Sequence, residues 1–173
     1  NSNFEETVFL LWNDRLPKQG ELTEFKATLG KEAALESDLI EVLKKFPTSG
    51  HPMAWLETAV ATMALWDTDA EKEATDAAAN HRKAIRLTAK MGTLVAAFVR
   101  LRDGKDIVTP NPDKGIAWNF LYMLRGQEPS DEMVKVFDTC LVLHADHELN
   151  CSAFSTRVVA SSLSDMHSAI VSG

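Results

Sequence analysis

The sequence predicts an all-α, multi-helical fold. Apolar residues recur at three- and four-residue spacings over most of the chain, and the short alternating apolar–polar runs that mark strands are almost absent. Pro, Gly and Ser/Asp/Asn clusters interrupt this pattern at helix-like intervals. With 173 residues and 45% hydrophobic content the chain can bury a core of its own. Its 25% charged residues and mean hydropathy of −0.13 place it far from disordered chains.

The elements follow in order. Ser2 or Asn3 caps a first helix in which Phe4, Val8, Leu11 and Trp12 share a face, and Leu16-Pro17 ends it. Glu21 to Leu29 reads as a second helix closed by Gly30, and Ser37 to Phe46 as a third, stopped by Pro47-Thr48-Ser49-Gly50. His51-Pro52 opens a fourth with a broad stripe of Trp55, Leu56, Ala59, Val60, Met63 and Ala64. A long helix spans Thr75 to Arg102, with Gly92 as its weak point, and Asp103-Gly104 terminates it. Residues 104 to 115 form the one long loop, with Pro110 and Pro112, and are the candidate mobile or ligand-facing segment. Helices resume at about 116 to 125, 130 to 146 and 152 to 172.

Charge and cysteine usage narrow the function classes. Eighteen Lys and Arg against twenty-five Asp and Glu give a net charge of −7, which argues against a general affinity for nucleic acid or anionic membranes. No run is long and apolar enough for a membrane span. Cys140 and Cys151 are too few for a disulfide framework or structural zinc and read as small core residues of an intracellular, reducing compartment. The chain does not begin with Met, so it is expected to be a piece of a longer one.

Candidate chemistry concentrates in CLVLHADHELNCS, Cys140 to Ser152. His144 and His147 stand three residues apart, on one side of a helix, with Asp146, Glu148 and Asn150 near them. Two imidazoles and an amide suit a carboxylate ligand. A His pair beside carboxylates is also a permissible metal half-site, and two buried, satisfied histidines at a helix end are the structural alternative. Glycine-rich phosphate loops and a Gly-x-Ser-x-Gly elbow are absent. Trp118, Phe120, Tyr122 and Met123 read as core, and Arg82, Lys83, Arg86 and Lys90 as a solvated basic face able to meet a phosphate.

Several segments together resemble the citrate synthase family, in the bacterial and archaeal branch that includes 2-methylcitrate synthases. They are NSNFEETVFLLWNDRLPKQGELTEF, HPMAWLETAVATMALWD, TAKMGTLVAAFVRLRDGK, NFLYMLRGQEP and LHADHELNCSAFSTRVVASSLSDMHSAI, in order and along essentially all of the chain. The resemblance implies an all-α enzyme without metal or cofactor that condenses oxaloacetate with acetyl-CoA, releasing CoA. It implies oxaloacetate-binding roles for His147, in Asp-His-Glu, and Asn150, with His144 as a supporting residue.

Departures from the family pattern set the remaining expectations. The Pro-Leu-His-Gly-Gly and Pro-Gly-Tyr/Phe-Gly-His motifs, the catalytic Asp, the carboxylate-binding arginines and the small domain are not among these residues, so residues 1–173 are expected to be part of the large (N-terminal) domain with no catalytic residue of their own. Glu57 stands where relatives commonly have Arg, and Gly92 where many have Pro. The resemblance implies a cytoplasmic homodimer through helices 52–65 and 85–101, using Trp55, Ala59, Met63, Val95 and Val99. Competing readings are a 2-methylcitrate synthase using propionyl-CoA, a non-catalytic dimerising module, and a metallohydrolase built on His144, Asp146 and His147.

Overall fold

The structure, a computed structural model, describes residues 2–173. Among the described residues there are nine α-helices and no strand: α1 (Phe4–Asn13), α2 (Gln19–Glu32), α3 (Ser37–Leu43), α4 (Pro52–Met63), α5 (Ala77–Arg102), α6 (Ile116–Arg125), α7 (Asp131–Leu143), α8 (Cys151–Ser161) and α9 (Met166–Ser172). A single 3-10 turn, Ala64–Trp66, extends α4.

Helix starts follow side-chain capping chemistry. Asn3 accepts from the Glu6 amide at 2.9 Å, Asp76 from Ala79 at 3.0 Å, and Asn150 from Ala153 at 2.8 Å. At α2 the Lys18 amide donates to Glu21, whose carboxylate also receives both Arg15 guanidinium donors at 2.9 and 2.6 Å. Those hydrogen bonds, the Arg15 pair first, hold Glu21 at a pKa of about 2.

The 26-residue α5 is the central helix and packs against α2, α4, α6 and α9. A helix enclosed on several sides must be apolar on several faces. Leu87, Leu94 and Phe98 join Leu39, Leu43, Trp55, Ala59, Val60 and Met63 in one cluster, while Ile85 and Ala89 join Val8, Phe9, Phe25 and Leu29 in another. Leu39, Leu43, Ala59 and Leu94 are wholly buried. Thr93 fixes α5 to the end of α2, its hydroxyl donating to the Ala33 carbonyl at 2.7 Å.

Several expectations are corrected. Gly30 does not close α2 but lies buried inside it, where a Cβ would strike the Pro112 carbonyl. α5 runs unbroken through Gly92, which faces the side of Phe120. The single helix expected over 152 to 172 is two: Ser162 ends α8, Leu163 turns back at φ 63°, and Asp165 caps α9 by accepting from the Ser168 amide at 3.0 Å. Residues 104 to 115 are tied down at their second half. The buried Asn119 carboxamide accepts from the Asn111 amide at 2.7 Å and donates to the carbonyls of Asn111 and Lys114, both at 2.9 Å.

Cys140 and Cys151 are exposed, contrary to the core reading, because α7 and α8 bury no residue in this chain. Of Trp118, Phe120, Tyr122 and Met123 only Met123 is fully buried. Trp118 instead stacks on Tyr122 at 4.8 Å, and Phe120 on Phe137 at 4.8 Å. Trp55, Ala59 and Met63 are buried within the chain against α5 and α3, so that stripe is not a surface available to a second copy.

Candidate functional site

The candidate site is the turn joining α7 to α8. Helix α7 stops at Leu143 because the His144 ring folds back, its Nδ1 lying 2.7 Å from the Cys140 carbonyl oxygen. Asp146 accepts from the Glu148 amide at 3.1 Å, and Glu148 adopts φ 56°, reversing the chain into the Asn150 cap. The expected helical juxtaposition of His144 and His147 is therefore absent: residues 144–150 are not helical.

The consequence is a division of labour. His144 lines a groove of about 330 Å³ with Phe4, Val8, Leu11, Trp12 and Leu141. His147 stands exposed in the turn, and no hydrogen bond engages its ring among the described residues. Asn150 is half-buried; its amide oxygen is committed to capping α8, which leaves its NH₂ to donate. The turn thus offers an imidazole and an amide donor, the chemistry an anionic or carbonyl oxygen takes. No group of three or more His, Cys, Asp or Glu side chains is placed to hold a metal among the described residues, so the metallohydrolase constellation does not assemble.

A second polar cluster lies where sequence reasoning expected a solvated basic face. Arg86 binds Asp67 through Nε and Nη2 at 3.0 and 2.6 Å and reaches Asp69 at 2.6 Å, while Arg82 holds Asp69 in a two-pronged pair. Lys90 pairs with Glu36, and Lys83 is buried. The stripe is paired because residues 67–69 cross its face and supply the carboxylates; Lys83, Arg86 and Lys90 are drawn inward while Arg82 stays exposed. The Arg82 and Arg86 hydrogen bonds hold the Asp69 carboxyl far below its ordinary range. Burial alone would raise Asp67, but the Arg86 guanidinium and the Asp69 amide outweigh it and keep its pKa below the usual value.

His167, 2% exposed, completes this cluster from α9. Its Nε2 is 3.5 Å from Asp67 and its Nδ1 3.8 Å from Asp165. Burial lowers its pKa and outweighs the two carboxylates, with Lys83 and Arg86 adding to the lowering. Sequence reasoning passed over His167. The available signal was Asp67 and Asp69, two apart, facing Arg82 and Arg86, four apart on one helix side.

Fold and turn together define an all-helical protein whose α7–α8 turn presents an imidazole and an amide donor at a helix start. The family model described as citrate synthase, C-terminal domain, matches residues 1–173, and the chain belongs to the citrate synthase family. Citrate synthase 2 of Bacillus subtilis is 50% identical over 171 residues, covering 98% of this chain and 45% of that protein. A 2-methylcitrate synthase of Mycobacterium tuberculosis is 36% identical over 97% of this chain and 42% of its own length. The crystal structure of citrate synthase from Pyrobaculum aerophilum superposes with a TM-score of 0.92 at 37% identity, covering 99% of this chain and 44% of that one. The ternary complex of the Thermoplasma acidophilum citrate synthase with carboxymethyl coenzyme A and oxaloacetate superposes at 0.89 with 26% identity, covering 99% and 44%. The chain spans about half the length of the curated relatives it matches.

Proposed function

We propose that the protein carrying this chain is a citrate synthase-type acyltransferase, in which the α7–α8 turn supplies one wall of the oxaloacetate site. The observation that carries the reading is the 50% identity to citrate synthase 2 of Bacillus subtilis across 98% of the chain. The oxaloacetate held by the Thermoplasma acidophilum enzyme in its ternary complex supports that substrate class. In this reading acetyl-CoA loses a methyl proton to a carboxylate base, and its carbon attacks the oxaloacetate ketone. Water then cleaves the thioester, giving citrate and free CoA.

The turn's contribution is electrostatic. The ketone oxygen gathers negative charge as the carbon–carbon bond forms, and the substrate carboxylates carry charge throughout. His147, with no partner of its own among the described residues, and the Asn150 NH₂ donate to these oxygens. His144 supports the turn from the end of α7 by its contact with Cys140. The reading assigns no metal, no resident cofactor and a cytoplasmic location. It keeps a homodimer, with the contact outside the buried Trp55–Ala59–Met63 stripe.

The 36% identity to a 2-methylcitrate synthase supports a second reading, with propionyl-CoA as the acyl donor. Oxaloacetate-dependent release of the CoA thiol by the full-length protein, from acetyl-CoA and propionyl-CoA in parallel, decides between the two. Faster turnover of acetyl-CoA supports the first reading, faster turnover of propionyl-CoA the second, and release of neither thiol overturns both. Residues 1–173 assayed alone are expected to be inactive, since the base and the family's Pro-Leu-His-Gly-Gly segment are not among them.

A further inference from the structure

Two buried polar atoms without a hydrogen-bond partner belong to residues that line the same small pocket: Oε2 of Glu36 and Nε2 of His167. Met63, Trp66, Asp67, Arg86 and Lys90 form the rest of its wall. Its volume is about 10 Å³, the space of one water molecule. Orphaned polar atoms of this kind are uncommon in folded proteins because each leaves a desolvation cost unrelieved.

We propose that this pocket is a one-water site, in which a long-lived internal water bridges Glu36 and His167 and so keys α9 to the Asp67–Arg86 ion pair. The chemistry selects water over other occupants. A cation would face Arg86 and Lys90, an anion would face Glu36 and Asp67, and an apolar group would leave both orphans unrelieved. Water donates to the carboxylate oxygen and either donates to or accepts from the imidazole nitrogen, so it satisfies both atoms in either tautomer. The direct His167–Asp67 separation of 3.5 Å is too long for a strong hydrogen bond and leaves room for this bridge to matter.

The site has a mechanical consequence. Helix α8 buries no residue, and α9 buries only His167 and Ala169, yet α8 and α9 pack on each other and α9 packs on α4 and α5. His167 is therefore the polar positioning residue that, beside the apolar contacts of Met166, Ala169 and Val171, holds the α8–α9 hairpin, which begins at the Asn150 cap, to the central helix. The inference does not depend on the proposed reaction.

The test is made on the full chain. A nuclear Overhauser effect between a long-lived water and the ring protons of His167 is expected in the unvaried protein, and its absence overturns the site. His167→Phe keeps the ring volume and removes both nitrogens. It is expected to speed amide hydrogen exchange across 151–172 by about tenfold or more while leaving the middle of α5 unchanged. His167→Gln, which restores a polar atom near Nε2, is expected to return exchange to within about threefold of the parent. Unchanged exchange in the Phe variant, or a Gln variant no better than Phe, overturns the proposal. Should the Phe variant fail to fold, the water signal in the parent and the Gln variant decide it.

Discussion

The carboxylate of Glu5, in the first turn of α1, accepts the backbone hydrogen bond of Ile116, at the start of α6, at 2.8 Å across a sequence separation of 111 residues. Helix α6 begins at Gly115, which has no side chain to cap it, so a buried acid from another helix does so. Lys26 lies 4.0 Å from the second oxygen. Glu5→Ala leaves the α6 amide and the Lys26 charge uncompensated and is expected to cost about 1–3 kcal/mol by urea denaturation. Glu5→Gln keeps the acceptor and should cost less.

Asn119 should be harder to replace than its loop neighbours. Its three hydrogen bonds close residues 111 to 114 onto α6, and the residue is buried. Asn119→Ala strands one amide and two carbonyls, and a loss of at least about 2 kcal/mol is expected. Asn119→Asp keeps the acceptor but turns a buried carboxylate oxygen on both carbonyls and should cost at least as much as the alanine. Thermal unfolding of the three proteins checks the order.

The two glycines of α2 should respond oppositely to alanine. Gly30→Ala drives a methyl into the Pro112 carbonyl, backbone that cannot swing aside, whereas Gly20 has nothing near its Cβ position. Gly20→Ala is expected to stabilise by up to about 1 kcal/mol through helix propensity, and Gly30→Ala to destabilise by about 1–3 kcal/mol through overpacking. Equal shifts in the denaturation midpoints would contradict the close approach of α2 to the 104 to 115 segment.

The charged cluster gives stability a definite dependence on pH. Burial places the folded-state pKa of His167 below its ordinary 6.5, so between the two values the unfolded chain binds more protons. Stability attached to His167 is therefore complete above pH 6.5 and is lost as pH falls toward the folded value. Asp67 and Asp69, held below their ordinary 3.8, act with the same sign: their contribution is present above that value and is lost below it. Urea midpoints measured from pH 8 to 3 should fall in two stages. His167→Gln should remove the upper stage and spare the lower.

The fold was legible in the sequence because helix periodicity and capping chemistry are local. Asn3 and Ser130 mark real starts, α5 is capped at Asp76, one residue past the expected Thr75, and the Asn150 cap lies two residues before the expected α8. What misled was anything decided by a distant partner. Gly30 reads as a helix stop until Pro112 is seen against it. The Arg82–Lys90 stripe reads as a free basic face until residues 67–69 and Glu36 pair with it. The stripe on α4 reads as an interface because its cover, from α3 and α5, lies elsewhere in the chain. At the candidate site the residue types were readable, but the geometry was not. The αL residue Glu148 and the back-folded His144 end α7 early, so a three-residue spacing gave no shared face.

The reading of the α7–α8 turn as part of an oxaloacetate site is tested most directly by steady-state kinetics of the full-length protein and its His147→Ala variant, with oxaloacetate varied at saturating acyl-CoA. Loss of a donor to a charged substrate oxygen predicts a KM for oxaloacetate raised by about tenfold or more, together with a lower kcat. Asn150→Ser, which keeps a capping oxygen but removes the NH₂ donor, should shift the same constants by a smaller factor. A His147→Ala enzyme with the parent's kcat and oxaloacetate KM would contradict the account, because the imidazole would then play no part in holding the substrate.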